Sequence, residues 1–182
     1  MNLSTHAITI NMLTGNASND NDTMEHITSM INRVYAAAEK GLWRDSEIRT
    51  TIDDLRTFTE NGQIAVARTN GNIIGCIRIH GLARDKGGFG LLAVDERYQG
   101  NGIGKKLIQF AEKQCQQAHF TDMQIELLVP QQGTRPDKER MKEWYKRLGY
   151  NPVRAENIED LFPAVGEMLA TPCKFIVFHK KL

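Results

Sequence analysis

The sequence predicts a mixed α/β fold of the α+β kind: a central sheet with antiparallel and parallel neighbours, flanked by helices. Three observations lead there. Stretches whose apolar residues recur with the helical period alternate with short alternating or wholly apolar runs along the chain. Asn70-Gly71, between two such runs, is a two-residue hairpin signal. The runs Phe89 to Val94 and Met123 to Val129 are joined through a helical pattern, and a crossover of that kind pairs its strands in parallel.

Taken in order, Ala7 to Leu13 alternates as a short strand, and Gly15 to Asp22 is a polar loop. Asp22 and Glu25 have capping-box spacing ahead of an amphipathic helix through Met24, Ile27, Ile31, Val34, Tyr35 and Ala38, closed by Gly41. A shorter helix runs through Ile52, Leu55 and Phe58 to Asn61-Gly62. Gln63 to Thr69 and Asn72 to His80 flank the hairpin turn, and Arg84 to Gly88 makes a looser turn into Phe89 to Val94. The next helix shows Ile103, Leu107, Phe110, Ala111, Cys115 and Ala118 on one face. Pro136 opens and Gly149 closes a helix with Met141, Trp144, Tyr145 and Leu148 at helical spacing. Tyr150 to Val153 and Lys174 to Lys180 read as strands, with Ile158 to Met168 irregular or partly helical between them. No repeat or internal boundary appears, so residues 1–182 read as a single domain.

A length of 182 residues leaves room for a real core, and 41% hydrophobic with 25% charged residues is ordinary globular composition. A net charge of +1 gives no reason to expect nucleic acid or an anionic membrane as the main partner. Cys76, Cys115 and Cys173 are odd in number and far apart, which argues against a disulfide framework or a zinc site and for buried thiols. With neither a signal-peptide pattern nor an apolar run long enough to span a membrane, the chain reads as cytoplasmic. The sequons at Asn2, Asn16 and Asn21 then carry no meaning.

The most informative stretch is Leu91 to Ala111: a strand, a charged turn, glycines at 100, 102 and 104, and a helix start. Glycines let a ligand approach the backbone, and the first-turn N–H groups with the helix dipole suit a phosphate or pyrophosphate. A Walker loop fails on spacing, because Gln99 and Lys106 stand where a glycine and a hydroxyl are needed. A dinucleotide fingerprint fails as well, because Lys105 takes the place of its third glycine.

What fits is Gln/Arg-x-x-Gly-x-Gly/Ala, as Gln99-Gly100-Asn101-Gly102-Ile103-Gly104. With Leu92-Ala93-Val94 before it, this closely resembles the acetyl-CoA-binding motif of the GNAT superfamily of N-acetyltransferases, apart from Glu96 where many members have Pro. The order of elements is also the GNAT order, so the resemblance covers nearly the whole chain. It implies the GNAT acyl-CoA N-acyltransferase fold, acetyl-CoA as cosubstrate, and no metal. It also implies that Leu92, Ala93 and Val94 hold the pantetheine arm as an added strand through the amides of Leu92 and Val94. Gln99 to Gly104, with Lys105 beside them, would hold the pyrophosphate.

The segment Trp144-Tyr145-Lys146-Arg147-Leu148-Gly149-Tyr150 resembles the family's tyrosine-bearing segment, and Tyr145 matches its general acid. A phenol near pKa ~10 can protonate a departing thiolate near ~8.5 on contact. Seven residues earlier, where the family often has Asn, stands Lys138, which can meet a phosphate as a point charge. For the proton lost by the amine, Glu126 is the best candidate, alternating away from Ile125 and Leu127 on its strand. His80 and His119 end apolar elements and are poorer ones. In this family the first two helices and their loop shape the acceptor site, which makes Tyr35, Trp43, Arg44 and Arg49 contacts to test. The expected reaction is acetyl transfer to a primary amine, small-molecule or peptide, by direct attack in a ternary complex. A homodimer stays open. The alternative is a non-catalytic acyl-CoA-sensing module, against which Tyr145 speaks.

Overall fold

The computed structural model describes residues 7–44 and 48–182; the Asn2 sequon lies outside them. Seven strands form one sheet in the order β1-β2-β3-β4-β5-β7-β6. They are β1 (Thr9–Met12), β2 (Ile64–Thr69), β3 (Asn72–Ala83), β4 (Lys86–Val94), β5 (Asp122–Pro130), β6 (Asn151–Asn157) and β7 (Cys173–Lys181). Helices α1 (Asn21–Ala38), α2 (Ile52–Glu60), α3 (Ile103–Gln117) and α4 (Pro136–Arg147) flank it. Two four-residue helices, α5 (Ile158–Leu161) and α6 (Pro163–Gly166), lie in the stretch expected to be partly helical. This is the mixed sheet flanked by helices that the sequence predicts, with every pairing antiparallel except β4 with β5.

The two faces are buried by different helices. Ile103, Leu107, Ile108, Ala111 and Cys115 of α3 pack with Ile77, Ile79, Phe89, Met123, Ile125 and Tyr145. Ile108 takes the inward place expected of Ala118, which is exposed at the helix end. On the opposite face Met24, Ile27, Met30 and Ile31 of α1 and Leu55 of α2 cover Ile64, Val66, Cys76, Leu91 and Ala93.

Local chemistry departs from expectation in two places. Asp20, not Asp22, caps α1: its carboxylate accepts the Thr23 N–H at 3.2 Å and the Thr23 hydroxyl at 2.7 Å. A full capping box occurs at α2 instead, where Thr51 and Asp54 bond reciprocally. The β3–β4 connection is tighter than a five-residue turn. Ala83 pairs with Lys86, so only Arg84 and Asp85 lie at the tip. The Asn70-Gly71 turn is as read, with φ of 49° and 78°, the left-handed pair that a two-residue hairpin requires.

One irregularity organises the sheet. Parallel pairing of β4 with β5 is limited to Lys86↔Asp122, Gly87↔Met123 and Gly88↔Gln124, after which the strands part. Between Cys76↔Ala93 and Arg78↔Gly90, β4 carries one residue more than β3, a bulge. Leu91 there has φ +48°, a conformation that costs a branched side chain about 1–2 kcal/mol. A bulge bends its strand, and this one turns β4 away from β5 while burying Leu91 under α1.

The α2 cap yields a first prediction. Thr51→Ala removes the hydroxyl half of the capping box and lowers stability by about 1 kcal/mol, read as a shift in urea midpoint without a change in slope. An unchanged midpoint would mean that α2 is held by packing alone.

Candidate active site

Where β4 and β5 part, a cavity of about 500 Å³ opens, roofed by α1, α2 and the start of α4. Its floor is the α1/α2 face of the sheet: Arg78 and His80 from β3, Gly88 and Gly90 from β4, Gln124, Glu126 and Leu128 from β5. Alternation along β5 sends Ile125 and Leu127 to the core and Glu126 to this floor, as the sequence suggests. Gln124 orients that carboxylate, donating through Nε2 to Glu126 Oε1 at 2.9 Å. Its Oε1 lies 2.9 Å from His179 Nε2, which must therefore donate.

Tyr145 reaches the same cavity from the other side of the sheet. Its ring is packed against Tyr150 and Phe178, with centroids 6.3 and 5.7 Å away. The hydroxyl makes no hydrogen bond among the described residues, and Tyr145 is one of the residues that line the cavity. Burial, with a smaller push from Tyr35, raises its pKa well above the usual phenol value, so it is protonated at any working pH. Tyr35, on α1, is pushed up to about 12 by its own burial, with the Arg49 guanidinium opposing.

Beyond Val94 the chain turns into α3. Gln99 Nε2 donates to the Val94 carbonyl at 3.0 Å, and Asn101 Nδ2 to that of Tyr98 at 3.0 Å. Gly100 and Gly102 have φ of +82° and +74°, and a Cβ built on either meets no atom within 4 Å. Gly102 is the N-cap of α3, which leaves the N–H groups of Ile103, Gly104 and Lys105 facing outward without helical partners. The turn is anchored by Asp95, a residue the sequence did not single out. Its buried carboxylate accepts the Arg97 backbone N–H at 3.0 Å and two guanidinium N–H groups at 2.9 Å, which hold its pKa down at about 2. Arg33 of α1 approaches to 3.9 Å.

The model of the acetyltransferase (GNAT) domain matches residues 60–152, just over half of the chain, and takes in the cavity floor, the glycine turn and Tyr145. The chain belongs to the GNAT acetyltransferases. N-alpha-acetyltransferase 30 of Saccharomyces cerevisiae is 38% identical over 82 residues, which cover 41% of this chain and 47% of that protein. The chain thus matches about half the length of this curated relative. The ribosomal-protein-alanine N-acetyltransferase from Brucella melitensis shares the fold at 13% identity, with a TM-score of 0.69 over 96% of this chain and 99% of that one. The IAA acetyltransferase from Bacillus cereus ATCC 14579 does so at 16% identity, with a TM-score of 0.65 over 97% of this chain and all of that one.

In this GNAT chain the acceptor-side candidates separate. Tyr35 and Arg49 line the cavity together, the Arg49 guanidinium 4.7 Å from the Tyr35 ring centroid. Trp43 lies in an adjoining hollow and donates its indole N–H to Glu39 at 2.8 Å. Arg44 packs the loop instead, its Nε donating to the Leu169 carbonyl at 2.8 Å. Lys138 is not at the phosphate turn. It is buried in the cavity wall near Glu39, its pKa pulled down by burial with Glu39 opposing. His80, judged a poor candidate, does face the cavity, with Nδ1 buried and unbonded. His119 is exposed at the end of α3.

The glycine turn generates the second prediction. Gly102→Val and Gly62→Val both force a branched residue to positive φ, at +74° and +64°, with no steric neighbour. Each should cost about 1–2 kcal/mol in stability. Only Gly102→Val should lose acetyl-CoA affinity, by tenfold or more in calorimetry. Equal affinity in the two variants would remove the turn from the binding site.

Proposed function

We propose that the chain, as one domain, transfers acetyl from acetyl-CoA to a primary amine by direct attack in a ternary complex. Family membership supports the donor. The observation that carries the reading is the meeting of Tyr145 and Glu126 at one cavity from opposite faces of the sheet. Leu92, Ala93 and Val94 border the gap in which the pantetheine arm would lie as an added strand, held by the amides of Leu92 and Val94. The Leu92 N–H, on the stretch of β4 that has left β5, would polarise the thioester carbonyl, a task that needs no metal. Backbone N–H groups from Gln99 to Lys105 would take the pyrophosphate.

In this mechanism Glu126, directed by Gln124, accepts the proton that frees the amine lone pair, directly or through water. The nitrogen attacks the thioester carbon, the C–S bond breaks, Tyr145 donates its proton to the sulfur, and the second proton that the nitrogen sheds as the amide forms returns to the Tyr145 oxygen through water. The burial that keeps Tyr145 neutral also disfavours the thiolate beside it, so the transfer stays nearly balanced. The acceptor is a small-molecule or peptide amine. Three cysteines, all buried and free, suit a reducing cytoplasm.

Two substitutions test the roles separately. Tyr145→Phe keeps the ring and its packing, so melting and acetyl-CoA binding should be normal while kcat falls on the order of 10²-fold, roughly 3 kcal/mol. A donor with a more acidic thiol should recover part of the loss. Wild-type kcat in this variant would exclude Tyr145 from the chemistry. Glu126→Gln should lower kcat at constant acetyl-CoA affinity and flatten the acidic limb of the pH–rate profile; an unaltered profile and rate would leave water as the proton acceptor.

A further inference from the structure

We infer that the acceptor is a small amine bearing a carboxylate, and that Arg78 binds this carboxylate across the cavity from Glu126. The inference rests on the acetyl-transfer reading and names the substrate class of the same cavity.

The sheet register sets the two groups opposite one another. Arg78 pairs with Gly90, and His80 with Gly88, which pairs in turn with Gln124. Gly90 and Glu126 each lie two residues further along strands that run the same way. Arg78, Gly90 and Glu126 therefore make one row, and His80, Gly88 and Gln124 the row before it. In the first row nothing fills the middle: a Cβ on Gly90 would meet no atom within 4 Å. The strands have already parted at this row, so at the backbone the two banks stand further apart than two strand spacings, about 10 Å. The cavity of about 500 Å³ leaves room between them for a molecule of amino-acid size. At Gly88 the furrow is closed, because Leu82 Cδ1 lies 2.6 Å from where a Cβ would be. A pit of this kind takes a compact ligand and offers a polypeptide no passage along β4.

Arg78 is prepared for an anion. Its guanidinium lies 3.6 Å from the centroid of the Phe58 ring, and its Nε donates to Gln63 Oε1 at 2.8 Å. The terminal nitrogens make no hydrogen bond or ion pair among the described residues. Asp54, the carboxylate that acts on it, is engaged by the Thr51 N–H and hydroxyl through Oδ2. A half-buried guanidinium whose terminal nitrogens touch no carboxylate is costly, and its planar fork matches the two oxygens of one carboxylate. His80 Nδ1, buried and unbonded on the same bank, is a second polar atom awaiting a partner. Of the other two cavity cations, Arg49 likewise lies over a ring, that of Tyr35, and Lys138 lies near Glu39.

The test compares acceptors by CoA release. α-Amino acids are assayed beside their decarboxylated amines, their amides, and short peptides with free N-termini. A charge-assisted pair is worth about 1.5–3 kcal/mol, so kcat/KM should favour the best amino acid over its decarboxylated amine by about 10- to 100-fold. Arg78→Gln should bring that ratio close to one by slowing the amino acids alone, and Arg78→Lys should keep part of it. Because each ratio is taken within one protein, partial misfolding of a variant cancels. Equal or faster turnover of neutral amines or peptides, or an unchanged ratio in Arg78→Gln, overturns the assignment and leaves acetyl transfer standing. Turnover of no amine at all by protein that binds acetyl-CoA overturns both.

Discussion

The parting of β4 and β5 is the constraint on which the site depends. Two parallel strands that pair for only three residues leave backbone groups of β4 without a neighbour on one side. Unpaired backbone in a protein interior is expensive, so a sheet opens this way only if something else meets those groups. Here the opening is enforced rather than incidental. An extra residue in β4 and the left-handed Leu91 bend the strand, and burial of Leu91 among α1 side chains offsets its strain. The same gap lets Tyr145, packed on one face of the sheet, contribute to the lining of a cavity on the other.

Much of this was legible in the sequence. Periodicity located four helices and the hairpin, because each helix must bury one stripe and Asn70-Gly71 tolerates positive φ. Glu126 was found by alternation alone, since Ile125 and Leu127 must both face the core. Tyr145 and the glycine turn were found because their spacing resembles the motifs of the family. Their binding and catalytic roles remain proposals, and the structure adds that the turn is held by Asp95 and Arg97.

What stayed hidden has physical reasons too. The bulge carries no signal, because Leu91 is an ordinary strand residue forced into a conformation that glycine would reveal. Gly88 reads as the end of a loose turn, whereas it is a strand position paired with Gln124, and Gly90 is a strand position left bare over the cavity. Arg78 sits within a nearly continuous apolar strand, and only the register with Gly90 shows what it faces. Lys138 was read as a point charge for a phosphate; tertiary packing instead buries it in the cavity wall near Glu39. At the start of α1, Asp20 and Asp22 are equally suited to capping, and the turn ahead of the helix decides between them.

The central claim is that the gap beside β4 receives the arm of acetyl-CoA as a further strand, continuous with the turn at Gly102. Backbone amide resonances followed during titration with acetyl-CoA test it most directly. The account predicts that the shifted amides run from Leu92 to Val94 and on through Gly100 to Lys105 as one contiguous track. Shifts that spare Leu92 and Val94, or that lie along α1 and α2 instead, would contradict it.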